Sequence, residues 1–481
     1  MKLYEQVGQQ IRDYIDKGVY GPGAKLPSVR KLSAQFNISI STVLQAYARL
    51  EDLGVIEAVP QSGYYVRRTP RGLPTPPAIS KPPIKPTEVS ISELAMEMLH
   101  AGYRPGAVQF GTALPCVDFP ALHQMHRTYA RIARSKSREI GKYEIPPGNP
   151  ALRLQIARRS VDAGISVSPE GLVITTGCQE ALMIAIRAVA KAGDTIAIES
   201  PSYYGVLQCI ESLGMRALEI PTEASTGISL KALELALDQW PIKALVLTPQ
   251  FSNPLGYQMP DENKVALLEL LRSHDIPLVE DDINGELCYS DRRAKAIKSW
   301  DTEGRVLFCS SVSKTLEPGL RIGWIIPGRY FTAVEHLKTV TSMATATLPQ
   351  MVVAEFLETG GFDRHLRAVR QTYQERRDRL TQLVSEHFPP ETRLTHPDGG
   401  YLAWIEMDKS VDSLKLFQQA MALGMSLAPG PLFSAVGKYR NYMRINYSMP
   451  WNDERVAALA TIGQLIDQQI EAGTGMRRAV S

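Results

Sequence analysis

Apolar residues at four-residue spacing open the chain: Leu3, Val7, Ile11 and Ile15 describe one face of an amphipathic helix that ends before Gly18. Beyond the Tyr20-Gly21-Pro22-Gly23 turn, Ser28 is placed to cap a second short helix, with Leu32 and Phe36 facing inward and Asn37 breaking it. A third helix starts near Ser39, keeps Val43, Ala46, Tyr47, Leu50 and Leu53 on one face, and stops at Gly54, a residue suited to a left-handed cap. Val55-Ile56-Glu57-Ala58-Val59, Gln61-Ser62-Gly63 and Tyr64-Tyr65-Val66 then read as a small hairpin. Three helices and a hairpin in this length predict a winged helix-turn-helix over residues 1–68.

The pattern lapses over residues 69–90, where Pro70, Pro74, Pro76, Pro77, Pro82, Pro83 and Pro86 stand among Lys, Ser and Thr with almost no large apolar side chain. Such a stretch buries too little to order itself and favours extended polyproline conformations, so it predicts a tether between two modules. Helical spacing returns at Ile91-Ser92-Glu93-Leu94-Ala95-Met96-Glu97-Met98-Leu99. Thereafter short apolar runs alternate with amphipathic helices: Leu172-Val173-Ile174-Thr175, Thr195-Ile196-Ala197-Ile198, Ala244-Leu245-Val246-Leu247, Leu278-Val279 and Val306-Leu307-Phe308. Buried strands separated by helices predict an α/β domain over residues 91–475 with a mostly parallel sheet, its ligands beyond the strands' carboxyl ends. Tyr442-Met443-Arg444-Ile445-Asn446-Tyr447 alternates as a further strand, and the residues from Met476 onward are expected to fray.

Charge and composition change this picture in two places. The net charge of +3 belongs entirely to residues 1–68, which carry nine Lys/Arg against six Asp/Glu, an asymmetry compatible with a polyanionic partner for the first module. No run of eighteen apolar residues occurs and the first residues are amphipathic, so neither a membrane span nor a secretion signal is expected and the location is read as cytoplasmic. The five cysteines lack paired spacing, which argues against a disulfide framework and against a metal site.

The strand ends carry the candidate chemistry. Thr175-Thr176-Gly177-Cys178-Gln179 is a glycine turn opening a helix, whose free N–H groups favour a phosphate. Tyr203 could stack on a planar ring, Asn253 in Asn253-Pro254-Leu255-Gly256 could donate to a phenolate, and a buried carboxylate in Glu280-Asp281-Asp282 could hold a pyridine nitrogen protonated. Lys314, at the mouth of a buried strand in Ser311-Val312-Ser313-Lys314-Thr315, loses hydration; its amine becomes a nucleophile towards a carbonyl, with Ser311, Ser313 and Arg321 as phosphate ligands nearby. Together with Pro318-Gly319-Leu320-Arg321-Ile322-Gly323, the lysine stretch resembles the signature of the fold-type I pyridoxal-phosphate enzymes, the aminotransferase superfamily, and the other motifs follow in that superfamily's order.

The resemblance implies that Gly177, Cys178, Gln179, Ser311, Ser313 and Arg321 hold the cofactor phosphate, Tyr203 stacks, Asn253 contacts O3′, Asp281 pairs the ring nitrogen and Lys314 carries the aldehyde. Tyr143, ahead of Glu144-Ile145-Pro146-Pro147-Gly148-Asn149-Pro150, is similar to the family tyrosine that reaches a neighbouring subunit's phosphate, which implies a homodimer. Asp398-Gly399-Gly400-Tyr401 and Ala428-Pro429-Gly430 match turns of a small C-terminal α/β subdomain, and Arg444 stands where the family grips a substrate carboxylate. One position departs: Asn284 occupies the place of a tyrosine that donates to O3′.

At the other end, Gly23-Ala24-Lys25-Leu26-Pro27-Ser28-Val29-Arg30-Lys31-Leu32 with Ile38-Ser39-Ile40-Ser41-Thr42-Val43 resembles the GntR family of bacterial repressors. That implies duplex DNA as partner, met by Ser39, Ser41 and Thr42 at a helix N-terminus, by Ser28 and Arg30, and by Gly63 at the wing tip; Ile40 replaces a usual arginine. A GntR head, a proline-rich tether and an aminotransferase-like domain resemble the MocR subfamily of GntR regulators. The expectation is a regulator that binds pyridoxal 5′-phosphate and senses an amino compound at Lys314, with full transamination not its main role.

Overall fold

The computed structural model describes residues 3–16, 19–20, 24–52, 55–59, 62–66, 74–79, 85–290 and 292–480. The expected stops at Gly18 and Gly54, the Gly21-Pro22-Gly23 turn and Leu53 lie outside them. The chain forms two compact units, Met1–Leu73 and Pro74–Ser481.

The smaller unit has helices Leu3–Asp16, Val29–Phe36 and Ile40–Asp52 and the antiparallel strands Ile56–Val59 and Gly63–Val66. Of the residues expected to face inward, Val7, Ile11, Leu32, Val43, Ala46, Tyr47 and Leu50 are buried together with Leu26, Ile56 and Val66, Ile15 and Phe36 are half-buried against them, and Leu3 is exposed. Tyr47 can be buried because its hydroxyl donates to the Pro27 carbonyl at 2.7 Å, which also ties the third helix to the approach of the second. Ser28 caps the second helix by accepting from Lys31 N, and Asn37 ends it in the left-handed conformation.

The larger unit is built on a sheet ordered Thr87–Glu88, Arg216–Glu223, Thr195–Ser200, Ile242–Leu247, Leu278–Asp281, Val306–Ser311, Gly323–Ile326, Val173–Thr175. Its central five long strands run parallel, and all five predicted apolar runs lie in it. Gly323–Ile326 is antiparallel to both its neighbours, so the chain reverses between Ser311 and Gly323 and throws out a loop at the sheet's carboxyl edge. That loop carries Lys314 and Arg321. A second sheet joins Arg393–Leu394, Leu402–Glu406, Tyr442–Asn446 and Ala428–Pro429, flanked by helices Gly361–His387 and Asp453–Val480. The last helix continues to Val480, through the residues expected to fray.

Part of the proline-rich stretch belongs to this unit. Thr87–Glu88 adds an antiparallel edge strand to Arg216–Glu223, Leu394 N donates to the Thr75 carbonyl at 3.0 Å, and Ala78 N donates to Glu406 Oε2 at 2.7 Å. A proline-rich segment has few N–H groups to satisfy, and here two of its remaining backbone groups are met by the second sheet.

Candidate functional site

The helix Cys178–Val189 begins where the strand Val173–Thr175 ends, and Gly177 is the turn between them at φ +80°, ψ 174°, a conformation that glycine alone adopts without strain. A Cβ on Gly177 would also collide with the Arg321 guanidinium, which donates to the Thr176 carbonyl at 3.1 Å. A helix N-terminus and an arginine thus converge on one spot, an anion cradle closed by no side chain. Behind it Glu180 accepts from Thr176 N and from the buried Lys338 ammonium at 2.8 Å, and this ion pair fixes the turn.

In front of the cradle lies a cavity of about 490 Å³. Its wall includes Cys178, Gln179, Tyr203, Asn253, Asp281, Ser313, Lys314 and Arg321, from five separate strand ends. Lys314 Nζ donates to the Ala113 carbonyl at 2.8 Å. Burial lowers its pKa to about 8, assisted by the Arg444 charge and opposed by Asp281, so a sizeable fraction of the amine is neutral near pH 7.5. Asp281 accepts from Cys178 Sγ at 3.4 Å and from Ile283 N at 3.2 Å; burial raises its pKa to about 6, and it stays ionised at neutral pH.

The three consecutive acids separate by strand alternation. Glu280 accepts from Ile297 N and Lys298 N at 2.7 and 2.9 Å, and Asp282 pairs with Arg293, while Asp281 alone lines the cavity. Among the described residues no cluster of His, Cys, Asp and Glu is arranged to hold a metal.

Asn253 Oδ1 accepts from Arg444 Nη1 at 3.1 Å, which leaves the Asn253 amide group as the donor available to the cavity. Arg444 is fully buried, also donates to the Gly111 carbonyl, and lies over the Phe433 ring, with its Nε unpartnered. It stands behind Asn253 rather than on the cavity wall. Gln179 is held by the Gly205 carbonyl at 3.0 Å. Asn284 lies on the wall, but its amide donates to the Phe251 carbonyl at 2.9 Å.

Two further predicted residues, like Arg444, are off the wall. Ser311 donates to the Ile322 carbonyl at 2.6 Å and accepts from Ser313 N at 3.0 Å; it braces the Lys314 loop and is absent from the cavity wall. Tyr143 is 79 % exposed, away from its own chain's cavity. Sequence reasoning missed Met96 and Leu99, which the helix Ser92–Gly102 contributes to the wall, Tyr103, which follows that helix, and Glu199, buried beneath the wall with a pKa raised to about 8 by desolvation. Amphipathic spacing marked that helix but carries no information about what its inner face covers.

In the head, Ser39 Oγ meets Ser41 Oγ and Thr42 Oγ1 at 2.8 and 2.7 Å and accepts from Thr42 N, so the three hydroxyls form one exposed polar group at the start of Ile40–Asp52. Arg30 is exposed on the preceding helix, and Ile40 and Leu44 are exposed apolar residues of the third. Gly63 pairs with Val59 as the first residue of the second wing strand.

Comparison with known proteins agrees with both halves. Residues 3–66 match the family described as bacterial regulatory proteins, gntR family, and residues 117–460 match aminotransferase class I and II. The chain is 41 % identical to the HTH-type transcriptional regulator YjiR of Escherichia coli (strain K12) over 98 % of its length and 100 % of that protein's. It is 36 % identical to YdcR of the same organism, with the same coverage. Among solved structures, the α-aminoadipate aminotransferase LysN from Thermus thermophilus, complexed with N-(5′-phosphopyridoxyl)-L-leucine, superposes with a TM-score of 0.72 at 28 % identity, covering 80 % of this chain and all of that one. A gntR-type head and an aminotransferase class I and II domain, matched along their whole length by HTH-type regulators, place this chain in the MocR subfamily of GntR-family transcriptional regulators.

Proposed function

We propose that the larger unit reads an amino compound through pyridoxal 5′-phosphate held at Lys314 and that the smaller unit reports the result to an operator in duplex DNA. The observation that carries this is the assembly of Lys314, Asp281, Asn253 and Arg321 on one cavity in a chain that also contains the three helices and two strands of a winged helix-turn-helix. The Gly177 cradle, the donor left on Asn253 and the ionised Asp281 fit the phosphate, the ring hydroxyl and the ring nitrogen of this cofactor. When bound, pyridoxal phosphate supplies an aldehyde that condenses reversibly with primary amines.

The residues of the chain then divide the work. Arg321 and the N–H groups after Gly177 would hold the phosphate, with Gln179 and Ser313 beside them, and Tyr203 would pack on the ring. Lys314 Nζ, partly neutral, would be the amine that holds the cofactor and yields its place to an amine of the effector. Arg444 is the group for an effector carboxylate: Asn253, on turning to the cofactor, would release the arginine Nη1 beside the unpartnered Nε. The exposed Tyr143 completes the site of a second copy, giving a homodimer. In the head, Ser39, Ser41 and Thr42 meet phosphates or base edges, while Ser28, Arg30 and Gly63 flank them. Among the described residues no helix is long and apolar enough to cross a membrane, and a regulator of this kind works in the cytoplasm, on the nucleoid.

Purified protein tests both halves. A yellow chromophore fixed by borohydride in wild type and lost in Lys314→Ala is expected, together with an operator footprint upstream of its own or a neighbouring gene that disappears when residues 1–68 are deleted. Sustained formation of new keto acid from amino acid and a keto-acid acceptor would overturn sensing in favour of a working transaminase.

A further inference from the structure

A second cavity of the larger unit, about 840 Å³, opens between the loop that follows Asn284, the helix Gly361–His387 and the end of the helix Pro150–Ser160. Its described wall carries six cationic side chains, Arg159, Arg292, Arg293, Lys295, Arg367 and Arg370, against three acids, Asp162, Glu286 and Asp363. The charges are unevenly matched. Glu286 is shared by three guanidiniums, with Arg293 Nη1 at 3.2 Å, Arg159 Nη2 at 3.3 Å and Arg370 Nη2 at 3.6 Å. Arg159 also reaches Asp363 at 2.8 Å, and Arg293 reaches Asp282. Arg293 is only 8 % exposed and its buried Nε has no hydrogen-bond partner. Among the described residues, Arg292 and Arg367 meet no carboxylate.

We propose that this cleft is a second ligand site, separate from the Lys314 cavity, for a small polyanion bearing two or more phosphate or carboxylate groups. Guanidinium forks already fixed by carboxylates on one side present their remaining N–H groups in a pre-organised array, the arrangement that binds such anions in a planar, two-pronged manner. Its volume falls within the range of metabolite pockets. Concavity, and the acids Asp162 and Asp363 on its walls, favour a compact ligand over the extended backbone of a duplex.

The test uses full-length protein whose Lys314 site has been filled with pyridoxal phosphate and sealed by borohydride. At low ionic strength it is titrated calorimetrically with inorganic pyrophosphate and, separately, with citrate; the two arms tell a phosphate ligand from a carboxylate one. Saturable binding of one anion per chain is expected. It should weaken at least tenfold in Arg367→Glu and in Arg292→Glu, which alter opposite walls, and stay within twofold in Arg364→Glu, an exposed position of the same helix outside the cleft. Absence of saturable binding by wild type, or equal weakening in Arg364→Glu, overturns the proposal. So does a loss of DNA affinity in Arg367→Glu with neither anion bound, which would make the cleft a nucleic-acid contact.

Discussion

With its pKa lowered to about 8, the Lys314 ammonium should govern how fast the apo-protein captures pyridoxal phosphate, because only the neutral amine attacks the aldehyde. The neutral fraction is then about 3 % at pH 6.5, about 24 % at pH 7.5 and about 91 % at pH 9, against about 0.1 % at pH 7.5 for an ordinary lysine. The advantage at pH 7.5 is about two hundredfold, the kinetic face of roughly 3 kcal/mol of lost ammonium solvation. Stopped-flow absorbance with excess cofactor should therefore give a rate that rises below pH 8 and levels off above pH 9. Free n-butylamine run in parallel supplies the baseline, climbing about tenfold per pH unit throughout. Asp281→Asn removes a negative charge that favours the ammonium, so its profile should move to lower pH even as cofactor affinity falls. Since Asp281 itself takes up a proton near pH 6, the displacement between the two profiles should shrink below that pH. A wild-type rate still climbing tenfold per unit at pH 9.5 would falsify the claim that burial activates this amine.

Gly177→Ala should weaken pyridoxal phosphate binding roughly 10–100-fold by equilibrium dialysis, because the backbone conformation alone costs a side chain about 1–3 kcal/mol and the new Cβ meets Arg321. In Asn284→Tyr, a phenol added near O3′ should lower the pH at which the bound chromophore titrates; identical titration in both proteins would sink the idea that Asn284 sets it. Lys338→Met strands Glu180 beside Thr176, so the melt should show a loss of about 3–5 kcal/mol, partly recovered in the double variant with Glu180→Leu. Ser39→Ala removes the cap of the third helix and should raise amide hydrogen exchange across residues 40–52 about fivefold, the equivalent of about 1 kcal/mol.

Five strands of the large sheet were legible because strands buried on both faces read as apolar runs, and the head because its three helices bury one face each; Arg216–Glu223, its run interrupted by Glu219 and Pro221, was not. The residues proposed to hold the cofactor stood out through the order of their motifs after those strands, which resembles that of the aminotransferase superfamily. What local pattern could not supply was partnership across the chain. Nothing around Ser311 says that its hydroxyl is used by Ile322 rather than a phosphate. Glu180 and Lys338, or Glu286 with Arg159 and Arg370, come from stretches far apart in sequence and look like ordinary surface charges until the fold brings them together. Thr87–Glu88 escaped notice because two residues among prolines have no periodicity to read.

The position of Gly323–Ile326, between Val306–Ser311 and Val173–Thr175, also sets an order of assembly during synthesis. The strand that positions Arg321 and closes the Lys314 loop must pair with a partner made long before it, a late and non-local step. The head is complete roughly 250 residues earlier, some tens of seconds at ordinary elongation rates. A nascent regulator therefore owns a foldable DNA reader before it owns a receptor, and the supply of cofactor at the moment of closure can draw the second half to its native state by mass action.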